Sequence, residues 1–184
     1  MKLHTHHTLI IFILFFPYIF ENQLLAQKQW QVRSSSVTFK IKNAGFTVDG
    51  TFGAVEAINI SLEKANIESA NLEASIDAKS INTGIESRDN HLRKPEYFDV
   101  ARFPKIIMKS KKISRLRGDI YEGVFDLYLK GVVKEIKFPF MYAQVGEFVK
   151  LSTEFIINRL DFGVGGSSWI LGDKVTVKIV LTIE

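Results

Sequence analysis

The sequence predicts an all-β, antiparallel domain carrying one short helix. Eight or nine short runs of apolar/polar alternation follow one another with turn residues between them. No strand–helix–strand rhythm appears, which argues against a parallel α/β sheet. One stretch alone, Thr83 to Asp99, changes period. Periodicity leaves two architectures open, a sandwich or a barrel, because both bury alternate side chains of antiparallel strands.

The chain opens with a stretch that reads as a secretory leader, Met1 to Ala26. Lys2 and three histidines precede an apolar run of 12 residues, Leu9 to Phe20, well short of the ~20 needed to span a bilayer. Leu24-Leu25-Ala26 ends on a small residue suited to cleavage before Gln27. Export would leave one domain, 27–184, large enough to bury a core without disulfides. The chain has no cysteine, which excludes thiol catalysis, thiolate metal sites and disulfide redox chemistry.

The first strand expected is VTFKIKN, in which Val37, Phe39, Ile41 and Asn43 share a face. Gly45 allows a turn, after which Phe46, Val48, Gly50 and Phe52 form the next inward set. Ile58, Ile60 and Leu62 follow, then Leu72, Ala74, Ile76 and Ala78. Past Pro104, Ile106, Met108 and Ser110 share a face. Phe125, Leu127 and Leu129 run to Gly131. Ile136, Phe138 and Phe140 continue, with Pro139 facing the other way. Phe155, Ile157 and Arg159 lie on one side of the next strand, and GVGGSS at 163–168 is a flexible connection. Val175, Val177, Ile179, Leu181 and Ile183 close the chain.

Between the fourth and fifth of these runs lies the helix, expected over Gly84 to Lys94. Thr83 can serve as its N-cap and Glu86, three residues on, can close a capping box. Ile85, Asp89 and Leu92 share one helical face, and Pro95 stops the helix. Arg88 and Asp89 are adjacent, so they point about 100° apart on a helix and cannot pair well with each other. Each is expected to tie the helix to a different part of the body, Arg88 through a carboxylate and Asp89 through backbone N–H groups.

The net charge is +4, with basic residues scattered among acidic ones. The exception, Lys109, Lys111 and Lys112 with Arg115 and Arg117, reads as a solvated strand end and turn, or as attraction toward anionic headgroups. It is not the basic stripe with stacking aromatics that nucleic acid requires. Of four histidines only His91 lies beyond the leader, so a three-His zinc site is impossible in the exported domain. Asp161-Phe162-Gly163 spells a kinase tripeptide without the glycine-rich loop or catalytic loop that would give it meaning.

Several stretches, in order, carry a resemblance. RDNHL (88–92), YFD (97–99) and FPKIIMKS (103–110) resemble the YceI-like family of periplasmic lipid-binding proteins. VTFKIKNAG, VDGTF, SINTG, DLYLKGVVKEIKF and INRLDFGV agree in the same order, from Ser36 to the end. The resemblance implies an eight-stranded, lipocalin-like antiparallel barrel with the helix near its mouth. It also implies an isoprenoid or similar long-chain amphiphile as ligand. The family often has His where this chain has Asn43.

The ligand-lining residues expected are Phe39, Ile41, Asn43, Phe46, Val48, Phe52, Ile76, Leu92, Phe98, Met108, Leu127, Phe155, Ile157, Arg159, Val177 and Ile179. Within that set Asn43 and Arg159 are polar fixtures on otherwise apolar faces. The function expected is exported binding or carriage of lipid, in the periplasm or secreted, without catalysis, metal or cofactor. The partners expected are that lipid, a membrane surface in transient contact, and a second copy in a homodimer, but no nucleic acid. Two other classes compete. One is a lipid-acting enzyme using Arg88, Asp89 and His91. The other is a ligand-free structural or stress-response module with a filled core.

Overall fold

Alternation of this kind demands a shared dry side, and a single curled sheet supplies it. The structure is a computed structural model that describes residues 30–63 and 66–184. The leader expected at 1–26 lies outside the described residues. Nine strands form one antiparallel sheet: β1 (Val32–Asn43), β2 (Phe46–Phe52), β3 (Glu56–Glu63), β4 (Asn66–Asp77), β5 (Lys105–Arg117), β6 (Ile120–Leu129), β7 (Val132–Val145), β8 (Phe148–Asn158) and β9 (Leu171–Ile183). Their order is β2-β1-β9-β8-β7-β6-β5-β4-β3. The fold is thus the antiparallel, barrel-like one expected, with nine strands in place of eight.

The two edge strands, β2 and β3, are consecutive in the chain but share no ladder. The curled, barrel-like sheet therefore has a seam at its β2 and β3 edges. The 3-10 turn Ala78–Ser80 and the residues after it lie along the exposed edge of β2. Thr51 and Asn82 exchange two backbone hydrogen bonds, at 2.8 and 3.0 Å, and the Gly53 N–H donates to Ser80 Oγ. These contacts occupy part of an edge that would otherwise be free to pair with another chain.

The connections sort to two ends. At one end, called the rim, lie the β1–β2 and β6–β7 turns, the 78–104 segment and the β8–β9 connection. The opposite end is the base. Both rim turns are two-residue turns of positive φ, Ala44-Gly45 (51° and 84°) and Lys130-Gly131 (50° and 75°). That pattern belongs to tight primed hairpins, whose twist matches the flanking strands.

Two inward assignments from alternation fail. Ile58 is exposed, because the β3–β4 register slips between Ala57 and Asn59. Such a bulge re-aims the extra side chain, while Ile60 and Leu62 beyond it are buried. Phe46 is 77% exposed. It has the right parity but sits at the hairpin tip, past the last inward neighbour that could cover it.

The helix, α1 (Glu86–Leu92), is shorter than expected and differently capped. Its N-cap is Ile85, which has no side-chain capping bond, so the Thr83–Glu86 box does not form. Thr83 is engaged elsewhere, as described below. Two lysines of the basic run on β5 are matched by carboxylates on neighbouring strands. Lys109 meets Glu73 at 3.3 Å, and Lys111 meets Glu135 at 2.7 Å and Asp126 at 3.8 Å. The Glu135 hydrogen bond, with the charge of Asp126 beside it, raises the Lys111 pKa above its ordinary value.

Candidate functional site

The inside of the sheet is packed at the base and hollow above it. At the base Trp30, Leu62, Ile113, Tyr121, Phe140, Val149 and Ile183 form a buried cluster. The Trp30 indole N–H donates to the Leu62 carbonyl at 2.9 Å, which satisfies the polar end of the buried indole. Higher up, three rings stack across strands: Phe125 on Phe138 at 4.9 Å and Phe138 on Phe155 at 4.2 Å. The β7–β8 ladder runs only from Val145/Phe148 to Met141/Ser152. Pro139, which has no N–H to donate, lies just beyond it. The Thr153 hydroxyl donates to the Pro139 carbonyl there instead.

Two adjoining cavities occupy the hollow part, one of 180 Å³ towards the rim and one of 140 Å³ towards the base. Val37, Ile76, Ile106, Met108, Leu127 and Ile179 line both, so these six form the waist of one divided space. Of the residues expected to line a ligand, Phe39, Ile41, Asn43, Val48, Phe52, Ile76, Leu92, Phe98, Met108, Leu127, Phe155, Ile157, Arg159, Val177 and Ile179 border the rim cavity. Phe46 does not. Alternation missed Ile81, Thr83, Arg88, Tyr97, Val164 and Leu171, which also border it. Five of the six come from connections, where no strand periodicity could flag them, and Leu171 is the first residue of β9, before its regular alternation begins.

Close approach to backbone shapes the wall. Gly50 lies opposite Phe39 in the β1–β2 ladder, and a Cβ there would fall 2.2 Å from the Phe39 ring. The ring thus lies flat over Gly50, where any larger residue would displace it.

The 83–99 segment covers one end of the rim cavity through Thr83, Arg88, Leu92, Tyr97 and Phe98. Its anchor is Asp89, which is buried. The Asp89 carboxylate accepts from the Thr83 N–H at 2.9 Å and from the Thr83 hydroxyl. Arg88 reaches the same residue: Nε donates to Thr83 Oγ1 at 2.7 Å and Nη2 to the Thr83 carbonyl at 2.8 Å. Arg88 and Asp89 therefore meet through Thr83, and Arg88 does not use a carboxylate. Asp89→Ala should strand the half-buried Thr83 donors and cost about 2–3 kcal/mol. At roughly 2–4 °C per kcal/mol for a domain of this size, a melting-temperature drop of about 4–12 °C would be seen by circular dichroism. An unchanged melt would show that Asp89 does not hold the segment.

The two arginines at the cavity differ in what they have left to give. Arg159, 3% exposed, donates to the carbonyls of Gly172, Val164 and Leu171 and to the Asp173 carboxylate. It is committed to pinning the β8–β9 connection. Arg88 is half-buried, and its Nη1 amino group makes no hydrogen bond among the described residues. His91 is exposed and packs edge-on against Tyr97 at 4.9 Å. It does not border either cavity.

A family model described as the YceI-like domain matches residues 29–183. A UPF0312 protein of Staphylococcus epidermidis is 30% identical over 139 residues, 71% of this chain and 77% of its own length. A UPF0312 protein of Pectobacterium atrosepticum is 31% identical over 109 residues, and the match spans only 52% of that relative. Among solved structures, BcnA of Burkholderia cenocepacia superposes with a TM-score of 0.75 at 24% identity, covering 80% of this chain and 95% of that one. A polyisoprenoid-binding domain from Saccharophagus degradans gives 0.70 at 17% identity, covering 85% and 99%. The YCEI protein of Campylobacter jejuni gives 0.67 at 25% identity, covering 73% and 83%.

Proposed function

The chain belongs to the YceI-like domain family, and from that premise we propose that it binds a long-chain amphiphile, such as an isoprenoid, in the two-chambered cavity. The observation that carries this is an apolar space open along the sheet interior and stopped at the base by the Trp30 cluster. Transfer of apolar chain from water supplies the affinity. At about 0.8 kcal/mol per buried CH₂, each five-carbon isoprene unit contributes roughly 3–4 kcal/mol, so a few units offset the costs of association. The solved neighbour from Saccharophagus degradans, titled a polyisoprenoid-binding domain, agrees with this class of ligand.

The polar end of the ligand lies at the rim, against Arg88. Its Nη1 donors are held beside the cavity by the Thr83 contacts and remain available. Asn43 is a second polar group of the same wall. Arg159, the fixture expected from parity, serves the protein rather than the ligand. The protein acts as a carrier and not as an enzyme, since His91 stands outside the cavity. We place the working domain at 27–184, exported to the periplasm after cleavage of the leader.

Native mass spectrometry of protein purified from its own cells tests the main claim. A stoichiometric lipid mass is expected; a bare chain would count against a carrier. The headgroup assignment has its own test. Arg88→Gln should weaken retention of a long-chain carboxylate by about tenfold or more, the worth of a charge-assisted hydrogen bond at roughly 1.5–3 kcal/mol. Retention of the matching long-chain alcohol should change less. Equal losses for both would remove Arg88 from the headgroup site.

A further inference from the structure

Two apolar projections stand at the rim with nothing over them. Phe46 caps the β1–β2 hairpin, and in the β8–β9 connection Trp169 is fully exposed and Ile170 largely so. They form one surface, because the Ala44 N–H at the hairpin tip donates to the Ile170 carbonyl at 2.7 Å. The cavity wall ends at the same place. Asn43 and Leu171 pair across β1 and β9 and border the rim cavity, and each is the chain neighbour of a tip residue. Apolar surface of this kind, held out by tight turns, marks a contact with something else.

The charges beneath the tip indicate what that is. Further down the outer face, Lys40 stands opposite Asp49 and Lys178 opposite Glu154. The two lysines nearest the tip lack such matches: Lys42 stands opposite Thr47 and Lys174 opposite Asn158. Asp173 is engaged by Arg159, which leaves Asp161 as the exposed carboxylate of the connection. On β5, by contrast, Lys109 and Lys111 are answered by Glu73, Glu135 and Asp126. We propose that Phe46, Trp169 and Ile170, with Lys42 and Lys174 behind them, dock the cavity rim on an anionic lipid bilayer. Aromatic and aliphatic side chains would enter the headgroup boundary while the lysines meet its negative charge. Loading and unloading would then occur without carrying the ligand through bulk water.

The chain carries its own probe. Of its two tryptophans, Trp30 is buried at the base and Trp169 is in solvent. Titrating the full-length mature protein with vesicles of equal parts phosphatidylcholine and phosphatidylglycerol should shift tryptophan emission to the blue. Vesicles of phosphatidylcholine alone should shift it much less. Lys42→Glu should lower partitioning, measured by co-sedimentation, by about tenfold. Phe46→Ser together with Trp169→Ser should lower it by a further order of magnitude. These side chains are exposed, so the variants should keep the parent's circular dichroism. A blue shift that grows with protein concentration without vesicles would assign the tip to a second copy and overturn the proposal. So would vesicle binding that is indifferent to these substitutions. Lipid content by mass spectrometry is read separately, so failure here leaves the cavity assignment standing.

Discussion

Replacing Arg159 by Met is expected to cost about 3–5 kcal/mol, the loss that follows when one partner of a buried charged network is removed. The methionine fills the space but donates nothing. The carbonyls of Val164, Leu171 and Gly172 lose their shared donor, and Asp173 loses its counter-charge. Asp173 is partly exposed and will find water. The Val164 carbonyl, whose bond to Nη1 is buried, will not. At roughly 2–4 °C per kcal/mol, melting should fall by about 6–20 °C in a thermal scan followed by circular dichroism. Arg159→Lys should recover only part of this, since one ammonium cannot reach all four acceptors of the guanidinium fork. If the Met variant melted with the parent, the β8–β9 connection would be held by something other than Arg159.

Leu127→Trp should abolish stoichiometric lipid while leaving the fold in place. Leu127 is buried and belongs to the waist where the two cavities meet, so an indole there fills space that the ligand needs. Extra bulk in a packed core usually costs 1–3 kcal/mol, but here an adjoining void can receive it. Ile157→Glu is the harsher companion. It places a carboxylate in the apolar wall, where desolvation opposes both the charge and the ligand. The measurement is native mass spectrometry beside circular dichroism. A folded Leu127→Trp protein that kept its full complement of lipid would show that the ligand does not cross the waist.

Alternation located the wall where strands are regular. Phe39, Ile41, Val48, Ile157, Val177 and Ile179 all point inward because a period of two leaves them no choice. It failed where geometry departs from that period, at the Ile58 bulge and at Phe46 beyond the last covering neighbour. The helix was legible from Pro95 and the change of period, but its cap was not. Thr83 is a sound N-cap by type, yet its hydroxyl is claimed by Asp89 and Arg88, a competition that only the folded segment settles. Arg159 read as an inward charge in need of partners, which it is. That its partners are three carbonyls and Asp173, leaving Arg88 as the arginine with free donors, depends on contacts between distant connections. The seam between β2 and β3 was equally hidden, since two strands adjacent in the chain are ordinarily expected to pair.

That seam sets the mechanical character of the container. A fully laddered barrel has a girth fixed by its strand number and stagger, and widening it means breaking hydrogen bonds in a row. Here β2 and β3 share no ladder at all, and the gap is tied by the Thr51–Asn82 bridge and a few side-chain contacts. For the amphiphile proposed above, such a wall would yield like a split ring to a thicker or branched guest. Capacity in such a vessel is a range rather than a fixed volume.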